Sequence, residues 1–172
     1  MKKPRINHKL NNIIRSLCRK YKIKITKEKT SSGNGLAYIE EKKITIPYIT
    51  DRWNFFTALH EIGHVVNGWH KYMYLNEFYA EMWAIETGRK YNIFPTTRYL
   101  DNARGYILHH LSVAYSHGLK LERIPSDFRL WIRCDLDKWK EHRVKILWFR
   151  RKPTIVKRTL KNKLLAGMNY LS

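Results

Sequence analysis

The spacing of apolar and polar residues predicts a helix and a small sheet in the first third of the chain. Residues 8–21 repeat apolar positions at helical spacing, which is typical of a helix that buries one face. The apolar residues on that face are Leu10, Ile13, Ile14 and Leu17. Residues 22–29 alternate charged and apolar positions and predict a strand. Residues 36–39 and 43–46 flank a polar turn and predict a hairpin that ends at Pro47.

Longer helices are predicted next, at about residues 51–67, 75–91 and 97–117. Residues that favour helix ends stand at their boundaries: Thr50 or Asp51, Gly68, Thr96 or Thr97, and Gly118. A shorter helix opens after Pro125, and its apolar stripe is predicted to lie in the core. That stripe consists of Phe128, Leu130, Trp131 and Leu136. The pattern predicts an α+β fold, a small antiparallel or mixed sheet packed on a helical core.

The helix at 51–67 carries the pattern H-E-x-x-H at His60, Glu61 and His64. Residues four apart lie on one helical face, so both imidazoles can bind one metal ion while Glu61 projects toward a metal-bound water. Two ligands, a general base and an open position are what a zinc hydrolase needs. The alternative is a buried helix in which both His are structural.

Zinc needs a third protein ligand, and two residues compete for that place. Glu77 and Glu81 are four apart on the next predicted helix, so Glu77 could bind the metal while Glu81 accepts a hydrogen bond from a ligand imidazole. His70 is the other candidate, because HEIGHVVNGWH has the spacing of a longer three-histidine motif. We favour Glu77, because a helix with two paired carboxylates explains more residues than one His does. The alternative for Glu77 and Glu81 is an ordinary solvated helix face, but their apolar neighbours indicate a largely buried helix, where unpaired carboxylates are costly.

The segments WNFFTALHEIGHVV and LNEFYAEMWA resemble the ImmA/IrrE-type metallopeptidases, gluzincin-like proteins common in bacteria, phages and mobile elements. The hairpin GLAYIEEKKITIP is similar to the core of the same family, so the resemblance covers about residues 35–92. It implies His60, His64 and Glu77 as zinc ligands and Glu61 as the catalytic base. Nothing after about residue 95 resembles a family motif, so the resemblance implies no substrate.

The charge of the chain is concentrated at its two ends. The net charge is +20, from 34 Lys or Arg against 14 Asp or Glu. Residues 1–29 and residues 138–163 each hold eleven Lys or Arg and one Glu, so each segment has a net charge of +10. Basic ends of this kind suggest DNA or RNA as partner, and the alternative is a solvated surface.

Residues 1–137 are predicted to form a zincin-like metallopeptidase domain, and residues 138–172 a basic, mostly helical extension. Trp148 and Phe149 stand beside basic residues in that extension, which could follow a phosphate backbone while the rings stack on bases. The residues predicted to contact nucleic acid are Arg150, Arg151, Lys152, Lys157 and Arg158.

The remaining composition indicates the compartment. No run of about 18 apolar residues would span a membrane, and the N-terminus lacks the apolar stretch of a secretion signal. Two Cys, Cys18 and Cys134, fit a reducing compartment. We therefore expect a cytoplasmic protein without a membrane partner.

Together these features predict a zinc-dependent metallopeptidase that cleaves a protein or peptide substrate, for example a regulator bound to nucleic acid. The alternative is a zincin-fold regulatory, nucleic-acid-binding or structural protein without appreciable proteolysis. A sheet edge beside the motif helix would hold an extended substrate. One of His109, His110 and His117 could stabilise an oxyanion, although each is more readily explained as structural.

Overall fold

The computed structural model describes residues 5–29 and 34–132, and within them the predicted α+β class is confirmed. In chain order, the elements are α1 (His8–Lys20), β1 (Lys24–Lys29), β2 (Leu36–Tyr38), β3 (Lys43–Pro47), α2 (Arg52–Asn67), α3 (Met73–Lys90), α4 (Thr97–Ser116), a 3-10 turn (Leu121–Arg123) and α5 (Ser126–Ile132). Among these helices, none is both long enough and apolar enough to cross a lipid bilayer.

The sheet is mixed, with β3 between its two partners. β2 and β3 form the predicted antiparallel hairpin, while β1 pairs with β3 in parallel. The hydroxyls of Thr26 and Thr45 lie 3.1 Å apart across the parallel pair. Ile44 and Ile46 of β3 are fully buried, so the central strand anchors the sheet to the helices.

The helix ends follow the predicted capping residues. The carboxylate of Asp51 accepts from the backbone N–H of Asn54 at 2.9 Å and begins α2, and the hydroxyl of Thr96 accepts from Tyr99 N–H at 3.2 Å and begins α4. Gly68 ends α2 with a φ of 71°, in the region that glycine favours.

The apolar side chains form two clusters. The first contains residues of α1, the sheet and α2, including Ile14, Ile44 and Phe56. The second contains residues of α4, the 3-10 turn and α5, including Leu111 and Phe128. α3 contributes to both, with Tyr74 and Phe78 in the second cluster and Ala84 in the first. This helix therefore connects the two halves of the core.

The predicted core stripe of α5 is wrong at one position. Phe128 is fully buried and Trp131 packs against the second cluster, but Leu130 is 79% exposed. Two residues along a helix correspond to a rotation of about 200°, so a residue two positions from a buried Phe128 points to the opposite side.

Several predictions fall beyond the part of the chain that the structure describes. They are the basic extension at residues 138–172, the core position of Leu136, and the nucleic-acid contacts of Arg150, Arg151, Lys152, Lys157 and Arg158.

Candidate metal centre

Close packing of α2 against α3 creates the candidate metal centre. A Cβ at position 63 would lie 2.6 Å from the carbonyl oxygen and 2.9 Å from the Cα of Ala80. Real Cβ atoms do not approach other atoms so closely, so only glycine fits between His60 and His64 at this helix contact. The approach brings the two imidazoles of α2 against the carboxylates of α3.

His60, His64 and Glu77 form a compact triangle of potential ligand atoms. The Nε2 atoms of His60 and His64 lie 3.0 Å apart, and Oε2 of Glu77 lies 3.1 Å from the first and 3.4 Å from the second. A tetrahedral zinc ion with bonds of 2.0–2.1 Å would separate its ligands by about 3.3 Å. These three atoms therefore fit one zinc ion with little movement, and they leave a fourth position open.

The protonation of these groups reflects their crowding. Burial alone lowers the pKa of His60, but its hydrogen bonds to the carboxylates of Glu77 and Glu81 outweigh this and hold that pKa well above its ordinary value. Burial raises the pKa of Glu77, yet the hydrogen bonds from His60 and His64 hold it far below the usual range. Both directions favour an imidazolium paired with a carboxylate when no metal is bound, and a bound cation would take the place of the proton.

Glu81 holds the imidazole of His60 from the other side. This carboxyl group is 1% exposed, and its Oε2 accepts hydrogen bonds from Nδ1 of His60 and from the hydroxyl of Tyr99, both at 3.1 Å. The first bond leaves Nε2 of His60 directed at the ligand triangle, which is how carboxylates commonly orient metal-binding imidazoles. Glu81 therefore contacts the imidazole of His60 on the side away from the ligand triangle.

Tyr99 was not predicted as a site residue. It lies on α4, and burial, followed by the negative charge and hydrogen bond of Glu81, raises its pKa well above the ordinary value, so the phenol stays protonated and donates. Its position depends on how α4 packs against α3, and no spacing within one helix signals such a contact.

Glu61 lies under the backbone that leads into β2. Its side chain is buried at 8% exposure, and a Cβ at position 35 would lie 2.6 Å from its Oε1 and nearer still to its Cγ. The φ of Gly35 is not positive, so the glycine is explained by this close approach rather than by a left-handed turn. The edge strand β2 thus begins beside the candidate base.

Tyr106 is a second tyrosine of α4 whose pKa is raised by burial and by the carboxylates of the site. Although 41% of Tyr106 is exposed, burial of the hydroxyl and then the charges of Glu77 and Glu61 raise its pKa far above the ordinary value. The phenol therefore stays protonated and can donate a hydrogen bond.

The three histidines of α4 lie in different surroundings. The His110 ring packs edge-on against Tyr106 at 4.7 Å, and His109 contacts His110 at 5.5 Å. His117 lies at the end of the helix, where its Nδ1 donates to the carbonyl of Val113 at 2.8 Å.

The structure places His70 outside the ligand triangle. Its backbone N–H donates to the side chain of Asn76, whose amide donates back to the carbonyl of His70 at 3.3 Å. The ring packs against Tyr79 with centroids 4.6 Å apart and the ring planes tilted by 35°, and burial lowers the pKa of His70. Among the described residues, the group able to hold a metal contains Glu77 rather than His70.

Comparisons with known proteins identify no relative: no protein-family model, curated protein or solved structure matches the chain.

Proposed function

We propose that this protein is a zinc-dependent peptidase. The observation that carries the proposal is the triangle of His60, His64 and Glu77, whose dimensions suit zinc. Glu61 follows His60 directly on α2 and so lies beside this triangle. The buried partner of His60, Glu81, adds the oriented imidazole that catalytic zinc sites use. The resemblance of the two helices to ImmA/IrrE-type metallopeptidases supports the same assignment.

The chemistry divides among the side chains around the triangle. A zinc ion bound there would supply a water of lowered pKa and a positive charge beside the scissile carbonyl. Glu61 would take the proton of the attacking water and return it to the leaving amine. Tyr106, protonated and close to the charges of Glu61 and Glu77, is suited to donate a hydrogen bond to the oxyanion.

The edge of the sheet supplies a place for substrate. β2 pairs with β3 on one side, and within the described sheet its other side has no strand partner. An extended peptide added there would be held by main-chain hydrogen bonds, and the strand starts next to Gly35, which touches Glu61. A peptide on this edge would therefore reach the base. The proposed substrate class is an extended or unfolded segment of a protein.

Metal analysis and a cleavage screen with matched variants test the proposal. The purified full chain should hold about one zinc and cleave members of a fluorogenic peptide library. Glu61→Gln should retain the zinc, because Glu61 is not one of the three proposed ligands. It should lose cleavage, because an amide cannot take the proton of the attacking water. Absence of zinc after purification in zinc-containing buffer would refute the site. Zinc without cleavage in either protein would favour the non-proteolytic alternative.

A further inference from the structure

The outer side of α1 and the residues that follow it form a surface of one charge. Its members, called here the α1 basic surface, are Lys9, Arg15, Arg19, Lys20, Lys22 and Lys24, and all six are exposed. The helix from His8 to Lys20 contains no Asp or Glu. The helix itself therefore contributes only positively charged side chains to this surface.

The fold determines which way this helix faces. Leu10, Ile14 and Leu17 of α1 are buried in the first core cluster. At 100° per residue, Arg15 and Arg19 fall about 130° and 170° from the centre of this buried stripe, and Lys9 and Lys20 lie on its flanks at about 110° and 90°. Because the apolar side is occupied by the core, the basic side is what α1 presents outward.

We propose that the α1 basic surface binds the phosphate backbone of nucleic acid. The rise from Lys9 to Lys20 is about 16 Å, over which one strand of a duplex presents about five phosphates. Lysine and arginine contacts of this kind fix a protein on the backbone without reading bases, so binding has little sequence preference. This inference is independent of the proposed peptidase activity.

The surroundings favour nucleic acid over an anionic membrane. A helix that lies in a membrane interface inserts an apolar face, and the apolar face of α1 is already buried in the protein. The large exposed hydrophobic residues found among the described residues lie on other segments. At its far end the surface meets the turn before β3, where the backbone N–H of Lys24 donates to the carbonyl of Lys42 at 2.8 Å and the ammonium group of Lys43 pairs with Glu41.

Neutralising part of the surface in the full chain tests the proposal. Binding of a 30-base-pair duplex of arbitrary sequence is measured by fluorescence anisotropy between 50 and 200 mM salt. Each phosphate contact contributes about 0.9 to the slope of log affinity against log salt. The triple variant Arg15→Gln, Arg19→Gln, Lys20→Gln should therefore lower the slope by about 2.7. Over this salt range the parent should lose about 40-fold more affinity than the variant.

A matched control removes the same number of charges elsewhere. Lys71, Lys120 and Arg123 are exposed and lie beside the second core cluster, so their triple replacement by Gln should leave the salt slope unchanged. Contacts made by other parts of the chain are common to all variants and cancel in the comparison.

Three outcomes would overturn the proposal. The first is an absence of duplex binding by the parent at 50 mM salt. The second is an equal fall in slope for both triple variants, or none for the α1 variant. The third is binding to vesicles with 30% anionic phospholipid without binding to the duplex. If circular dichroism shows that the triple variant is unfolded, Arg15→Gln alone should lower the slope by about 0.9.

Discussion

At the scale of single residues, His60 is the group on which the candidate site depends. Its two ring nitrogens each lie 3.1 Å from a carboxylate, Nε2 from Glu77 and Nδ1 from Glu81. A histidine between two buried carboxylates keeps its proton, whereas a metal ligand must give that proton up. Proton and metal therefore compete for the same nitrogen.

This competition predicts a proton released on zinc binding. Since the pKa of His60 is raised above 6.5, the stabilisation from its charged form is complete below that value and is lost as the pH rises through the raised pKa. Zinc affinity should accordingly rise with pH up to the raised pKa. Calorimetric titration at pH 7 in two buffers of different ionisation enthalpy should show about one proton released per zinc. Glu81→Gln should reduce the release, and equal heats in both buffers would contradict this account.

The ligand set gives a second prediction at this scale. Glu77→Ala should reduce zinc affinity at least as strongly as His64→Ala, because each removes one corner of the triangle. Glu81→Ala should cost about 10- to 100-fold, as losses of residues that orient a ligand commonly do. His70→Ala should leave affinity nearly unchanged, since the His70 ring packs against Tyr79 instead. Competition with a chromophoric chelator measures all four, and zinc lost from His70→Ala but kept by Glu77→Ala would reverse the assignment.

The sequence predicts those parts of the site that depend on spacing within one helix. His60 and His64 share a face of α2, and Glu77 and Glu81 share a face of α3, so a period of 3.6 residues identifies both pairs. Tyr99 and Gly35 come from other elements and meet the site only through tertiary packing. Their roles could not be predicted from spacing.

At the scale of elements, the contact between α2 and α3 determines whether the site can form. Gly63→Ala would place a methyl group against the backbone of Ala80, which cannot move aside as a flexible side chain would. We expect a loss of about 1–3 kcal/mol in the free energy of unfolding and weaker zinc binding, since the helices must separate.

Gly105→Ala is the matched control for that substitution. Gly105 lies within α4, and nothing stands within 4 Å of a Cβ placed there. Alanine should stabilise this helix by up to about 1 kcal/mol without changing zinc affinity. Urea unfolding of both variants decides the comparison, and equal stability changes would show that the close approach at Gly63 has no energetic consequence.

The elements themselves were predicted to different degrees. Helix periodicity and capping residues located α1, α2 and α4 within one or two residues, because these signals are local. The parallel pairing of β1 with β3 was not predicted, because the alternation of residues within a strand does not specify which strand it pairs with or in which direction. The exposed Leu130 shows that an apolar residue in an amphipathic segment need not face the core.

At the scale of the whole molecule, the candidate metal centre lies where the two core clusters are joined. α2 belongs to the first cluster, while α3 contributes Phe78 to the second and Ala84 to the first. A metal bound by His60, His64 and Glu77 would cross-link these two helices. Its binding free energy should then stabilise the whole described fold rather than one helix.

Removing the metal should therefore lower the temperature of the entire unfolding transition. Zinc at 100 times its dissociation constant adds about 2.7 kcal/mol, which corresponds to about 5–10 °C for a chain of this size. Differential scanning calorimetry with and without a chelator should show one transition that moves as a unit, because α3 belongs to both clusters. Glu77→Ala should melt at the same temperature with and without the chelator. If the chelator also leaves the transition temperature of the parent protein unchanged, no metal connects α2 to α3. A transition that splits in two would show that the two clusters unfold independently.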